Sequence, residues 1–279
     1  MQIHRPAAHR IAPPALAEEP YTARAIKGTA LLEEMRALLR AWQPGEPFKA
    51  FRLRALGHDP LGKATGARLD DVLRVFEARF FTDGAEPATS VRRLLASRGN
   101  GRWFSQLCLL FAARADVVLR DAVTQFLPAA RARGAMAVAT PDLVRFLSAQ
   151  EALGRMARPW SQTVRESVAR HVLHHLTDFG LLGAPRRGSR ELLQYRPGSL
   201  AMTWLACELH RLGSTDRSIL DHRDFALFQL GASDVRHELD RLSDLGLWIY
   251  QGAGSVVRIS WTFREWDAVL TTLEGPSVD

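Results

Sequence analysis

From Arg102 to Arg114 the sequence RWFSQLCLLFAAR is apolar nearly all the way round a helical wheel. Trp103, Phe104, Leu107, Cys108, Leu109, Leu110 and Phe111 leave no polar face for water. A helix of this kind has to be surrounded, so it belongs at the centre of a helical fold. The run is also bounded. Its longest unbroken apolar stretch, Leu107 to Ala113, is far shorter than the roughly 20 residues a membrane span needs.

The flanking pattern supplies the wall. Behind a Thr65 cap, Leu69, Val72, Leu73, Phe76 and Phe80 recur at i, i+3, i+4, i+7 and i+11, one apolar stripe facing a core. Further helices are expected over about 29–42 (capped by Thr29), 46–56, 88–97 and 116–131. Thr140-Pro141-Asp142 then joins a cap, a first-turn proline and a first-turn acid ahead of Leu143, Phe146 and Leu147. Residues 1–20, rich in Ala and Pro and without periodicity, read as a disordered leader. Residues 21–155 read as a basic, all-helical domain.

Residues 156–279 change style. Ser161 caps a helix to about Phe179, stopped by Gly180, and a second helix runs from Ser199 to Leu212 before Gly213. Short helices are expected at 217–220 and 223–229, then one capped by Ser233 and closed by Gly246. Leu247–Tyr250 and Val256–Trp261 flank Gly252-Ala253-Gly254-Ser255, a hairpin signal. The fold class is mainly α: a helical N-terminal domain with helix-turn-helix character, then a winged-helix-like C-terminal domain with a small β-hairpin.

An internal repeat supports the winged helix. Residues 169–182 lie over 235–248 at an offset of 66, with seven of fourteen positions identical. Each copy is a helix ending in Asp, Phe or Leu, Gly and Leu, followed by a hairpin. In such a module one helix enters the major groove and the hairpin touches the backbone beside it. The second copy has the better-formed run of preceding helices, yet Asp234, Glu238, Asp240 and Asp244 make its helix net acidic. In the first copy the loop carries Arg186, Arg187 and Arg190.

Charge points elsewhere as well. Of 37 basic residues only Lys27, Lys49 and Lys63 are lysines, leaving 34 arginines. Arginine suits bidentate phosphate and base-edge contacts, and GC-rich codon usage produces the same bias. Residues 1–150 hold 22 basic and 14 acidic residues; residues 151–279 hold 15 and 16. The positive field therefore belongs to the first half and points to an anionic partner. Residues 87–115 contain Arg92, Arg93, Arg98, Arg102 and Arg114 with no acid; residues 43–68 carry Lys49, Arg52, Arg54, Lys63 and Arg68 against Glu46 and Asp59. With Arg186, Arg187, Arg236 and Arg241, those residues (Arg114 aside) form the candidate DNA-binding set; Arg165, Arg170 and His237 are further candidate contacts on the helices of the repeat. Charge ranks 43–114 first.

Little points to chemistry. His171 and His175 have metal-ligand spacing without an evident third ligand, and neither a nucleophile elbow, a kinase set nor HExxH is present. No cofactor or metal is expected, and an enzyme is the less favoured class. Cys108 and Cys207 lie in apolar helical stretches, as suits a reducing, cytoplasmic setting.

The stretch from Trp160-Ser161 through His171-Val172-Leu173-His174-His175-Leu176-Thr177-Asp178-Phe179-Gly180-Leu181-Leu182 to Val257-Arg258-Ile259-Ser260-Trp261 resembles the BrxA family of BREX phage-defence systems. Residues 113–147, ending in Pro141-Asp142-Leu143-Val144-Arg145-Phe146-Leu147, are similar too, and the resemblance spans about 21–275. It implies a mostly helical cytoplasmic protein with helix-turn-helix character that binds double-stranded DNA. Its partners would be other BREX components such as the methyltransferase, with no membrane involved. The chain is longer than the family leads one to expect, and the resemblance transfers no contact residue. Two further readings stay open: a protein-interaction scaffold of the defence complex, and an RNA-binding helical module.

Overall fold

The computed structural model describes residues 20–23, 30–62, 65–253 and 256–275. The chain is mainly helical, with two small two-stranded antiparallel sheets. The apolar helix expected at the centre is there. α5 (Arg102–Ala115) is buried from Trp103 to Ala113 except for a half-buried Ser105. Burial keeps the Cys108 thiol protonated, raising its pKa to about 12.

Four helices precede it: α1 (Leu32–Ala41), α2 (Phe48–His58), α3 (Gly66–Phe80) and α4 (Glu86–Arg98). Thr65 caps α3 by accepting the Arg68 N–H at 3.2 Å, and the expected stripe from Leu69 to Phe80 is buried. Thr29, the expected cap of the first helix, lies outside the described residues, as does the leader through residue 19. Trp42, Phe48, Phe51, Phe76 and Phe81 form an aromatic cluster that binds α1, α2 and α3 together.

A rod follows, made of α6 (Val117–Asp121), a π-helical turn (Ala122–Phe126) and α7 (Leu127–Ala132). Asp116 caps it by accepting from Val118 and Leu119 N–H. Pro128 has no N–H to offer the preceding turn, and its ring would crowd the Thr124 carbonyl. The widened π turn accommodates both demands.

Strand β1 (Ala137–Ala139), α8 (Thr140–Ala152), α9 (Gln162–Asp178) and β2 (Ser189–Glu191) come next. Thr140 is the first residue of α8 and not its cap. The cap position is Ala139, whose side chain has no oxygen to accept a first-turn N–H; Asp142, at the third helical residue, accepts the Ala139 N–H at 2.7 Å. Ser161 caps α9 as expected. Gly180, at φ 78°, stops it by allowing Leu181 N–H to reach back to the Leu176 carbonyl at 2.8 Å. β1 pairs with β2, whose other side meets the chain at Leu182–Gly183. The result is a three-stranded ribbon across the expected domain boundary at 155.

The last part comprises α10 (Ser199–Arg211), α11 (Asp216–Leu220), a 3-10 turn (Arg223–Phe228), α12 (Ala232–Arg241), β3 (Trp248–Ala253), β4 (Val256–Trp261) and α13 (Trp266–Glu274). Ser233 lies inside α12. Gly231 takes the cap position and donates its N–H to Asp234. β3 and β4 pair in the expected hairpin, with Trp248 opposite Trp261. Helix, short helix, helix and hairpin in this order are compatible with a winged helix. One apolar cluster runs through both halves of the chain. α13 packs back on α4, where the Trp266 indole donates to Ser90 at 2.8 Å.

Candidate nucleic-acid interface

An arginine offers charge to phosphate only if its guanidinium is not already spent on a carboxylate of its own chain. Arg52 is bonded to Asp70 at 2.5 Å. Arg54 grips Glu46 at 2.6 Å and the Ala41 carbonyl at 3.0 Å, and its hydrogen bond holds the Glu46 carboxyl below the usual range. Arg93 forks onto Glu274 at 2.8 and 2.9 Å and also bonds Asp267 and Thr271 of α13. Arg98 donates to the Leu273 and Gly275 carbonyls, closing the C-terminus of that helix. Arg241 bonds Glu238 at 2.7 Å and Ser199 at 3.2 Å.

Arg114, in the same acid-free stretch, bonds Glu208 at 2.7 Å and Asp224 at 2.8 Å. Sequence reasoning missed this centre, because its acids lie 94 and 110 positions away. Desolvation raises the Glu208 pKa, opposed by Arg114. Burial lowers the neighbouring His222.

The remaining candidates differ. Lys49, Arg68, Arg102, Arg186 and Arg187 are exposed, with Arg102 set over the Tyr195 ring at 5.5 Å. Arg92 and Arg236 are half-buried, and Lys63 lies outside the described residues. The basic side chains of residues 43–114 thus do not form one open face. They are divided between ion pairs inside the fold and scattered exposed positions.

The first copy of the repeat is assembled differently. β1, α8, α9 and the ribbon of Leu182–Gly183 and β2 follow the rod in the order expected of a winged helix with a three-stranded sheet. α9 buries Val168, Ala169, Val172, Leu173, His175 and Leu176, which leaves Arg170 and His174 on its exposed side. Arg165, also on α9, is engaged with Glu151. Arg170 and His174 form no ion pair among the described residues. The helical register of the sequence already places 170 and 174 opposite the buried stripe, so His174 was within reach of sequence reasoning. His171 does not act with His175: its Nδ1 lies 2.7 Å from the Ser167 carbonyl, and His175 is buried.

At the end of the ribbon, Arg186 and Ser189 exchange N–H···O bonds of 2.8 and 3.0 Å. Arg187 and Gly188 form the two-residue loop with φ of 49° and 81°, a type I′ turn. In the second copy, Gly252 and Ala253 stand 66 positions after Arg186 and Arg187, and Asp240 replaces His174. Asp240 and Asp244 are exposed there, as are Ile249 and Val256 on the hairpin.

A family model for BrxA matches residues 19–198. The chain belongs to the BrxA family. As a BrxA-family member it is a component of BREX phage defence. The matched span contains the whole first copy, from the rod through β2, and ends just before α10. A search of curated proteins finds no match. No helix among the described residues is long and apolar enough to cross a membrane.

Proposed function

We propose that this BrxA-family chain is a non-enzymatic, double-stranded-DNA-binding accessory protein of BREX that works in the cytoplasm beside other components such as the methyltransferase. The observation that carries the reading is the assembly of residues 117–192, whose order of elements is compatible with a winged helix. It presents Arg170 and His174 on an exposed helix face and Arg186 and Arg187 on an exposed wing, with no carboxylate taking their charge among the described residues. α9 lies in the major groove and the wing beside the backbone, so affinity comes chiefly from arginine–phosphate contacts and falls steeply with salt. This moves the expected site away from residues 43–114. Arg93 and Arg98 hold α13 in place, and Lys49 and Arg102 are left to lend a general positive field.

Fluorescence anisotropy with a random duplex at two salt concentrations tests the reading. Arg170→Ala and Arg186→Ala should each weaken binding and flatten the salt dependence by about one phosphate contact. Absence of binding by the wild-type chain even at low salt would favour the scaffold reading. The acidic α12 and the exposed Ile249 and Val256 support a protein-docking role for the second copy alone. Competition by duplex RNA as effective as duplex DNA would favour the RNA-binding module.

A further inference from the structure

A left-handed backbone position strains any residue with a side chain, and the fold normally offsets that strain locally. Four non-glycine residues among those described have positive φ: Leu31, Asp59, Arg187 and Gln229. Leu31 is buried in the core. The Asp59 carboxylate accepts the Leu61 N–H at 3.2 Å. The Gln229 amide donates to the Val123 carbonyl at 2.9 Å and to that of Ala226. Arg187 is the exception. It is exposed, and its side chain forms no hydrogen bond, ion pair or ring contact among the described residues.

Its turn makes the choice of residue stranger. The first loop position of a type I′ turn favours Asn, Asp or Gly, which reach φ near +50° with little strain. Gly188 fills the second position in the expected way. Ala253, 66 positions on in the second copy, is instead the last residue of β3, paired with Val256. Among the described residues, nothing within the fold bonds the arginine at this tip, and its guanidinium faces outward.

We propose that Arg187 is a specificity-determining residue that enters the DNA minor groove beside the helix bound by α9, and that it selects a narrow, A·T-rich groove. The inference rests on the DNA-binding reading above. The Arg187 side chain, carried at the tip of a two-residue loop, can enter a groove about 6 Å wide while the strands behind it, about 4.8 Å apart, stay at the groove's mouth. A-tracts narrow the minor groove and deepen its negative potential, which draws a guanidinium in without base-edge hydrogen bonds. Arg186, one residue back on the ribbon, is left to meet the phosphate at the groove wall.

The test uses the full chain and two duplexes of equal length, one with an A-tract at each flank and one with G·C flanks, in fluorescence anisotropy at fixed salt. The wild-type chain should prefer the A-tract duplex about tenfold. Arg187→Gly and Arg187→Asn should abolish that preference while raising the melting temperature by about 2 °C or more, since both relieve the turn. Replacing adenine with 2,6-diaminopurine, which adds an amino group in the minor groove only, should weaken the wild-type chain and leave Arg187→Gly unaffected. The inference is overturned if Arg187→Gly keeps the preference, or if it lowers the melting temperature. If Arg170→Ala loses affinity while Arg187→Gly retains the preference, only the minor-groove assignment fails. If the wild-type chain binds neither duplex, the DNA reading fails with it.

Discussion

Replacing Arg114 by methionine removes the cation from a buried three-residue network. In the native chain the guanidinium bonds Glu208 at 2.7 and 3.1 Å and Asp224 at 2.8 and 2.9 Å. The side chains of Glu208 and Asp224 are only 5% and 7% exposed. The substitution leaves two largely buried carboxylates side by side without the guanidinium that bonds both. Breaking a buried ion pair from one side costs about 3–5 kcal/mol. Arg114 itself is 26% exposed, so some screening reaches the site and the expected loss lies near about 3 kcal/mol. Whole-domain stabilities run to about 5–15 kcal/mol, so the variant keeps a fold with a much reduced margin.

The loss also depends on pH in a definite direction. Desolvation already raises Glu208, and removing Arg114 raises it further. The native variant then holds protons that its unfolded chain has released, so stability is lost as pH rises through the raised carboxylate pKa. The deficit relative to wild type is therefore larger at pH 8 than at pH 5. Urea unfolding followed by tryptophan fluorescence reads both quantities. A deficit below about 1 kcal/mol, or one equal at the two pH values, would refute the argument. Arg114→Met combined with Glu208→Leu and Asp224→Leu should recover most of the loss, because apolar groups of similar volume can replace a buried ionic network.

Two other outcomes follow from the same contacts. Arg93→Ala breaks a partly exposed clamp between α4 and α13, so thermal melting should show a loss of about 1 kcal/mol while duplex affinity and its salt slope stay within about twofold. A large fall in affinity without loss of stability would return the DNA site to α4. His210 and His222 are both held below the ordinary 6.5 by burial, so the unfolded chain takes up protons first as the solution is acidified. Their contribution to stability is complete above about pH 6.5 and is lost below it. His210→Phe keeps the stacking on Trp261 and should flatten the urea midpoint between pH 6.5 and 5; an unchanged slope would count against burial as the cause.

What could be read in advance was local. The Thr65 and Ser161 caps, the apolar stripe of α3 and the hairpin around Gly252 each depend on residues within a few positions, and each formed as expected. Thr140 and Ser233 lie inside their helices for an equally local reason: Asp142 and Asp234, two and one positions later, bond back to the N–H of Ala139 and Gly231 and set the helix start one or two residues earlier. β1 was invisible, because Ala137-Val138-Ala139 has too little alternation to mark a strand, and its partner begins some fifty residues later. The charge map misled by the same mechanism at longer range. An acid-free run from 87 to 115 looks open to phosphate until α10 and α13 bring Glu208, Asp267 and Glu274 to it. Net charge is additive along a sequence, whereas free charge depends on partners.

The packing of α13 on α4 has a consequence for biosynthesis. Trp266 and Ser90, which bond across that contact, are 176 positions apart. At ribosomal speeds of about 5–20 residues per second, α4 waits roughly ten to thirty seconds for the helix that covers it. During that interval the apolar side of α4 is a target for chaperones, and a nascent N-terminal half is a target for proteases. Protection of this side of α4 depends on α13 arriving.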